Sequence, residues 1–351
     1  MIRVYYYHTQ DVTKIRRSYE EGRCPSHFLY GALRLADNDI AVVWHSVRPR
    51  TARWSRVLAA TWGILTHYRS YDVVYASHHE GLDVIALLRA LHFFCKPLVV
   101  WHHQPVATAP QWWVERLGRV AYRGFDKLVF FSQKMADDSL LSRKLSPDRA
   151  VVGHWGADID FYVRLAATAR RRSGFISTGK ELRDMSTLTA AFNAEGETLD
   201  IYVGRKVGDT DYERYFSEHT PKPNIRVHYC SAFDPSGLAE RVNAAACVVI
   251  CCRETRYTVG LTTLVEAIAL GIPVICSRNP QIPIDVDAAR CGISVPYGDV
   301  DGWRRAVRFI ADHPDEAAAM GRRGRQLAER MYNDTLCAKQ MAEVIRDVLA
   351  R

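Results

Sequence analysis

Residues 260–274 read Gly260-Leu261-Thr262-Thr263-Leu264-Val265-Glu266-Ala267-Ile268-Ala269-Leu270-Gly271-Ile272-Pro273-Val274. Gly260 lets backbone come close to a ligand. Leu261, Leu264, Val265, Ile268 and Ala269 share one face at helical spacing. Gly271 ends that helix and Pro273 forbids its continuation. Just before lies 247–252, CVVICC, an apolar run of the length of a buried parallel strand. The order is strand, glycine loop, helix. It points the helix N-terminus over the end of the strand, where free N–H groups and the helix dipole attract an anion. Thr262 and Thr263 add hydroxyls at that end. Glu266 stands one turn further in, although Thr263 to Glu266 also fits a capping box.

Outward from this stretch the pattern repeats. Residues 2–7, 40–44, 71–76, 97–101 and 127–131 read as strands in the first half, with helical segments such as 31–35 between them. In the second half 174–178, 200–204, 225–229, 273–276 and 292–295 do the same, the last at a sheet edge. Strands alternating with helices predict an α/β protein with parallel sheets. A length of 351 residues with 48% hydrophobic and 25% charged residues suits two domains. Residues 301–351 read as helical with short breaks, and Gly321 to Gly324 as a loop-to-helix join. No apolar run is long enough to span a bilayer, and the first residues read as a strand rather than a signal peptide. Nine cysteines without CxxC pairs suggest reduced thiols and a cytoplasmic protein. A net charge of +8 predicts an anionic partner. No nucleic-acid motif is present, and no G-x-G-x-x-G follows the first strand, which argues against a dehydrogenase.

The run Leu264, Glu266, Ala267, Ala269, Gly271, Pro273 and Val274 resembles the nucleotide-sugar site of GT-B glycosyltransferases, especially the retaining family 4 (group 1). The resemblance implies two Rossmann-like domains facing a cleft. The first, 1–160, would bind the acceptor and the second, 161–330, the nucleotide sugar, with a final helix over 331–351 crossing back to the first. The stretch 151–161 resembles a variant of the family's interdomain G-x-D-x-x-x-F pattern, with Gly156, Asp158 and Phe161 in place and one residue fewer before the phenylalanine. In the family the second signature glutamate holds the donor ribose, which assigns Glu266. The first is replaced here by Thr258. The loop Gly179-Lys180-Glu181-Leu182-Arg183 matches a glycine followed by two basic residues that bind the donor diphosphate. Fixed cations stabilise the charge a leaving nucleoside diphosphate gains, and this makes a metal unnecessary. Donor-binding residues are then Gly179, Lys180, Arg183, Thr258, Gly260, Leu261, Thr262, Thr263 and Glu266, and the donor is UDP- or GDP-linked.

Family members also carry a histidine after the fourth strand that faces the donor sugar. Either His102 or His103 fills that place, and alternation does not decide between them. On the acceptor side the candidates are Gly22 and His27, in a loop read as 8–27, and His78 and Glu80 in the loop after 71–76. The paired histidines 78/79 and 102/103 lack the spacing of a zinc site. Arg170, Arg171 and Arg172 read as a solvated joint.

Residues 48–69 carry five arginines and no acid, with Trp54, Leu58, Trp62 and Leu65 on one helical stripe. Residues 112–123 repeat the theme with Trp112, Trp113, Arg116, Arg119 and Arg123. Such faces suit an anionic membrane surface; equally, the stripes would pack on the sheet. The expectation is a glycosyltransferase acting on a lipid-linked acceptor or a cell-surface glycan precursor. A nucleotide-sugar 2-epimerase of the same fold would need cleft acids, for which Glu80 and Glu254 are available. A non-catalytic nucleotide-sugar binder is the other alternative, suggested by Thr258.

Overall fold

The computed structural model describes residues 1–46, 52–168, 171–179, 181–230 and 234–350. It divides into two compact units: one of Met1–Gly22, Ser26–Trp155 and Asp334–Arg351, the other of Arg23–Pro25 and Gly156–Asn333. In unit 1 the order is β1 (Ile2–Tyr7), α1 (Val12–Glu20), β2 (Ile40–Trp44), α2 (Arg53–Thr66), β3 (Val73–Ala76) and α3 (Asp83–Ala90). Next come β4 (Leu98–Trp101), α4 (Trp112–Tyr122), β5 (Lys127–Phe130), α5 (Gln133–Leu140) and β6 (Ala150–Val152). The sheet runs β2-β1-β3-β4-β5-β6 with every pair parallel. β3, β4 and β5 are buried along their whole length, as strands covered by helices on both faces must be.

Unit 2 contains α6 (Ile159–Ala166), β7 (Phe175–Thr178), α7 (Met185–Glu195), β8 (Leu199–Val203), the hairpin β9 (Lys206–Val207) and β10 (Thr210–Asp211), and α8 (Tyr212–Glu218). It continues with β11 (Ile225–Tyr229), α9 (Pro235–Asn243), β12 (Cys247–Ile250), α10 (Leu261–Ala269), β13 (Val274–Ser277), β14 (Gly292–Val295), α11 (Val300–Asp312) and α12 (Pro314–Arg330). Its sheet order is β11-β8-β7-β12-β13-β14, again all parallel. The chain therefore reverses its direction of travel across the sheet between β7 and β12. The last helix, α13 (Asp334–Ala350), lies in unit 1. Its buried Asp334 accepts from Ser26 Oγ and from Arg34 Nε at 2.7 Å, and Met341, Ile345 and Val348 supply its buried stripe.

Four sequence readings are corrected. The segment read as a loop over 8–27 contains α1, because Asp11 caps it by accepting from Lys14 N and Val12 and Ile15 bury one face. Val151 and Val152, read as the start of the interdomain stretch 151–161, belong instead to the edge strand β6. Gly321 and Gly324 lie inside α12 rather than in a join. A side chain at Gly321 would strike the Gly271 carbonyl, and one at Gly324 would crowd Ile268 and Cys291, so both glycines let α12 pack closely on α10.

The fourth correction is Arg172, which is a clamp rather than a solvated charge. Nε donates to Asn243 O at 3.1 Å and Nη1 to Gly271 O at 2.9 Å. Nη2 donates to Asn243 Oδ1 at 2.9 Å and Leu270 O at 2.8 Å. One guanidinium thus satisfies the orphan carbonyls at the ends of both α9 and α10 and opposes their negative dipole ends. Arg172→Ala should cost about 2–3 kcal/mol, since several charge-assisted bonds go at once. Arg172→Lys should recover little, lacking the fork. Thermal melts showing the alanine variant unchanged would contradict this role.

Candidate active site

The switch between β7 and β12 brings two loops together. Asp184 N donates to Cys251 O at 3.0 Å and Arg253 N to Leu182 O at 2.8 Å, closing an antiparallel bridge between Arg183 and Cys252. The first loop starts at Gly179, whose φ of 107° favours glycine. A side chain there would also collide with the Arg183 guanidinium. That guanidinium is buried. Nε and Nη2 donate to Thr178 O at 3.1 and 2.9 Å, and Nη1 to Glu181 O and Cys252 Sγ, each at 3.2 Å. Its partners are neutral, and no carboxylate pairs with it among the described residues. Lys180 lies outside the described residues.

The second loop ends at Gly260, the N-cap of α10, at φ 91° with no side-chain cap. Leu261 N is used by Thr258 O at 3.1 Å, and Leu264 N closes on Gly260 O at 2.9 Å. Thr262 and Thr263 stand between them in the first turn, where backbone N–H groups have no intrahelical acceptor. Thr262 is exposed and Thr263 buried. Because the helix begins at Leu261, Thr263 is the third helical residue and not a cap. The capping-box reading of Glu266 therefore fails. Glu266 is half-buried in the second turn of α10 and takes a hydrogen bond from the buried Tyr162 of α6. Burial, then the Glu266 charge, pushes the Tyr162 hydroxyl pKa well up. It therefore donates its proton to the carboxylate across the physiological range. A third loop, after β13, joins the pair: Ser277 Oγ accepts from Cys252 N at 2.9 Å, and Asn279 Nδ2 donates to Tyr257 O at 2.9 Å. Tyr162, Cys252 and Asn279 escaped the sequence reading. Only Tyr162 left a trace, directly after Phe161 in the interdomain pattern.

In unit 1 the C-terminal ends of β1, β3 and β4 carry five histidines. His78 and His103 rings lie 4.5 Å apart, His79 and His102 4.2 Å, and His78 and His79 4.8 Å. His8 follows β1 and was not anticipated. The rings stack rather than converge, and no group of three metal-ligating side chains is arranged around a point among the described residues. His102 is buried. Its Nδ1 donates to the Gln104 carbonyl, leaving Nε2, 2.9 Å from Tyr122 Oη, to accept from that hydroxyl. With both nitrogens engaged, His102 is not the accessible member of the pair. His103 donates from Nε2 to Ser77 O at 2.8 Å and stays half-buried. His27 is fully buried, between Phe28 and Trp155, which corrects its assignment as an acceptor-side base. Gly22 is an exposed turn residue at φ 72° after α1. Glu80 pairs with Arg56, and its carbonyl accepts from Tyr7 Oη at 2.8 Å.

Comparison with known proteins agrees with this geometry. The chain is 25% identical over 324 residues to an MMP alpha-(1->4)-mannosyltransferase of Mycolicibacterium hassiacum, a match covering 85% of this chain and 74% of the relative. Among solved structures it is similar to sucrose-phosphate synthase of Thermosynechococcus elongatus, with TM-score 0.74, 16% identity, and 100% and 99% of the two chains covered. It is also similar to Anabaena HepE in complex with UDP-glucose, with TM-score 0.70, 14% identity, and 99% and 100% covered. No family model matches the chain. The fold is GT-B, and the chain is a glycosyltransferase similar to those of the family 4 type.

Burial, reinforced by neighbouring rings, holds His8 and His103 near pKa 4, His78 near 2 and His102 well below the usual value. Unfolded imidazoles take up protons near pH 6.5. The unfolded state therefore binds more protons between that value and the folded pKa values, and stability present at neutral pH falls as the pH drops through this window. Each pKa unit of difference is worth about 1.4 kcal/mol per group. Melting temperature should decline steadily from pH 6.5 to 5, before most carboxylates titrate, and His78→Asn should flatten the decline. A melting temperature constant over that range would contradict the neutral cluster.

Proposed function

We propose that the chain moves a sugar from a UDP- or GDP-linked donor to a lipid-linked acceptor or cell-surface glycan precursor. Transfer proceeds with retention and without a metal, at the inner face of the plasma membrane. The observation that carries the reading is the meeting of the β7 and β12 loops at the switch point of unit 2. Open α/β sheets bind ligands at such points. There the uncapped N-terminus of α10 offers donors beside a buried guanidinium whose hydrogen-bond partners among the described residues are neutral. An anion is what that field lacks.

Each group takes a role from its position. The N–H groups and hydroxyl at Thr262 accept the diphosphate. Lys180 pairs with it, while Arg183 shapes the Gly179 turn and adds its charge from beneath. Glu266, oriented by Tyr162, receives the ribose hydroxyls. Thr258, shorter than the glutamate usual at its position, leaves room and a hydroxyl for the sugar. His103 is the ring at the sugar, with Nδ1 as an acceptor, and His78 and Glu80 border the acceptor. Under retention the leaving diphosphate takes the acceptor proton, so no strong protein base is required. The lowered pKa values of His78 and His103 keep both neutral at pH 7.

Glu266→Gln tests this reading. It keeps an acceptor for Tyr162 but loses the carboxylate. Donor KM should rise about tenfold, a loss of about 1.4 kcal/mol, with the melting temperature within a few degrees of the parent. UDP or GDP should raise the melting temperature of the parent chain with or without Mg²⁺, and Lys180→Ala should remove most of that shift. Unchanged donor KM, or no shift with any nucleoside diphosphate, would overturn the assignment.

A further inference from the structure

The stripe anticipated on α2 does not pack on the sheet. Val57, Ala60, Gly63 and Ile64 face inward, while Trp54, Leu58 and Trp62 are 72%, 66% and 72% exposed. α4 has no buried residue at all, and Trp112, Trp113 and Leu117 stand in solvent. Phe93, just beyond α3, is 79% exposed. α2 packs on α3 and α3 on α4. The three connect strands that step the same way across the sheet, so right-handed crossovers put them in one layer. Trp101, Trp155 and Trp303 are buried elsewhere. An apolar area of this kind marks a docking surface.

Its charge has one sign. Arg53 pairs with Asp83, Arg56 with Glu80 and Arg119 with Glu115. Glu115 is also held by Lys144 at 2.8 Å, so the acids here are neutralised. Arg69, Arg116 and Arg123 are exposed and have no ion pair among the described residues. Both helices carry tryptophans together with arginines: Arg53, Trp54, Arg56 and Trp62 on α2, and Trp112, Trp113, Arg116 and Arg119 on α4. That combination lets rings enter the headgroup boundary while guanidinium groups meet lipid phosphates.

We propose that the outer face of α2, α3 and α4 docks unit 1 on an anionic bilayer, with Trp54, Trp62, Trp112 and Trp113 inserted and Arg69, Arg116 and Arg123 on the phosphates. No helix among the described residues is long and apolar enough to cross a membrane, so the attachment is peripheral. Trp54 and Trp112 stand at helix N-termini, on the same edge of the sheet as Glu80 and His103. Docking therefore brings the acceptor-side rim of unit 1 to the lipid surface; this last step deepens the glycosyltransfer reading, while the docking itself is independent of it.

Flotation with vesicles tests the surface, without donor or acceptor present. The chain should float with phosphatidylcholine vesicles containing about one third phosphatidylglycerol and about tenfold less with phosphatidylcholine alone. Combined Trp54→Ser, Trp62→Ser and Trp112→Ser should abolish flotation while the melting temperature and its shift by nucleotide persist. Combined Arg69→Glu, Arg116→Glu and Arg123→Glu should remove the preference for the anionic vesicles. Failure to float with either vesicle would overturn the proposal. So would a dimer in vesicle-free solution that the tryptophan substitutions convert to monomer, which would make the face a contact between two copies. Neither result would touch the donor-site reading, which stands on nucleotide binding.

Discussion

A guanidinium buried without a counterion among the described residues organises unit 2. Arg183 lies under the turn at Gly179, held by Thr178 O, Glu181 O and Cys252 Sγ. Burying a charge is expensive unless something opposite compensates it. Carbonyl dipoles do part of that work, and the bridge between Arg183 and Cys252 locks the β7 loop to the β12 loop in the process. The same contact places the guanidinium beside the Gly260 turn, since a side chain at Gly260 would approach Cys252 Sγ. The loop glycines follow from it: one makes room for the cation, the other for the start of α10. A preorganised positive field at a helix N-terminus results, ready for developing negative charge.

Unit 1 handles polarity differently. Its site edge is lined with neutral, stacked imidazoles whose tautomers are set by backbone carbonyls and one tyrosine hydroxyl. Burial keeps them uncharged, so that edge presents donors and acceptors without net charge. Exposed arginines without ion pairs among the described residues stand on the outer layer of helices, among exposed tryptophans.

The fold was legible because its strands are short apolar runs between turn residues, and parallel sheets demand such runs. The stretch from Gly260 to Val274 announced loop, helix and strand by spacing alone. What stayed hidden depended on contacts distant in sequence. Gly321 and Gly324 looked like a break because glycine is a poor helix former, yet close packing of α12 on α10 requires them. Arg172 looked solvated because its four acceptors come from residues about 70 to 100 positions away. Whether the α2 stripe faced in or out was undecidable from periodicity, which gives a face but not its partner. The smaller residues Val57, Ala60, Gly63 and Ile64 had the better fit against the sheet. Arg183 and Glu266 could be picked out from their motifs, but the burial of Arg183 and the support of Glu266 by Tyr162 appear only once the loops are closed.

The most direct test of the central claim is amide hydrogen exchange with and without UDP and GDP. A nucleoside diphosphate seated at the switch point must protect the loop after β7, the loop before α10 and the first turn of α10. Protection concentrated at 179–184 and 253–266 is the predicted result. Protection confined to the histidine-bearing edge of unit 1, with the β7 and β12 loops unchanged at saturating nucleotide, would contradict the account.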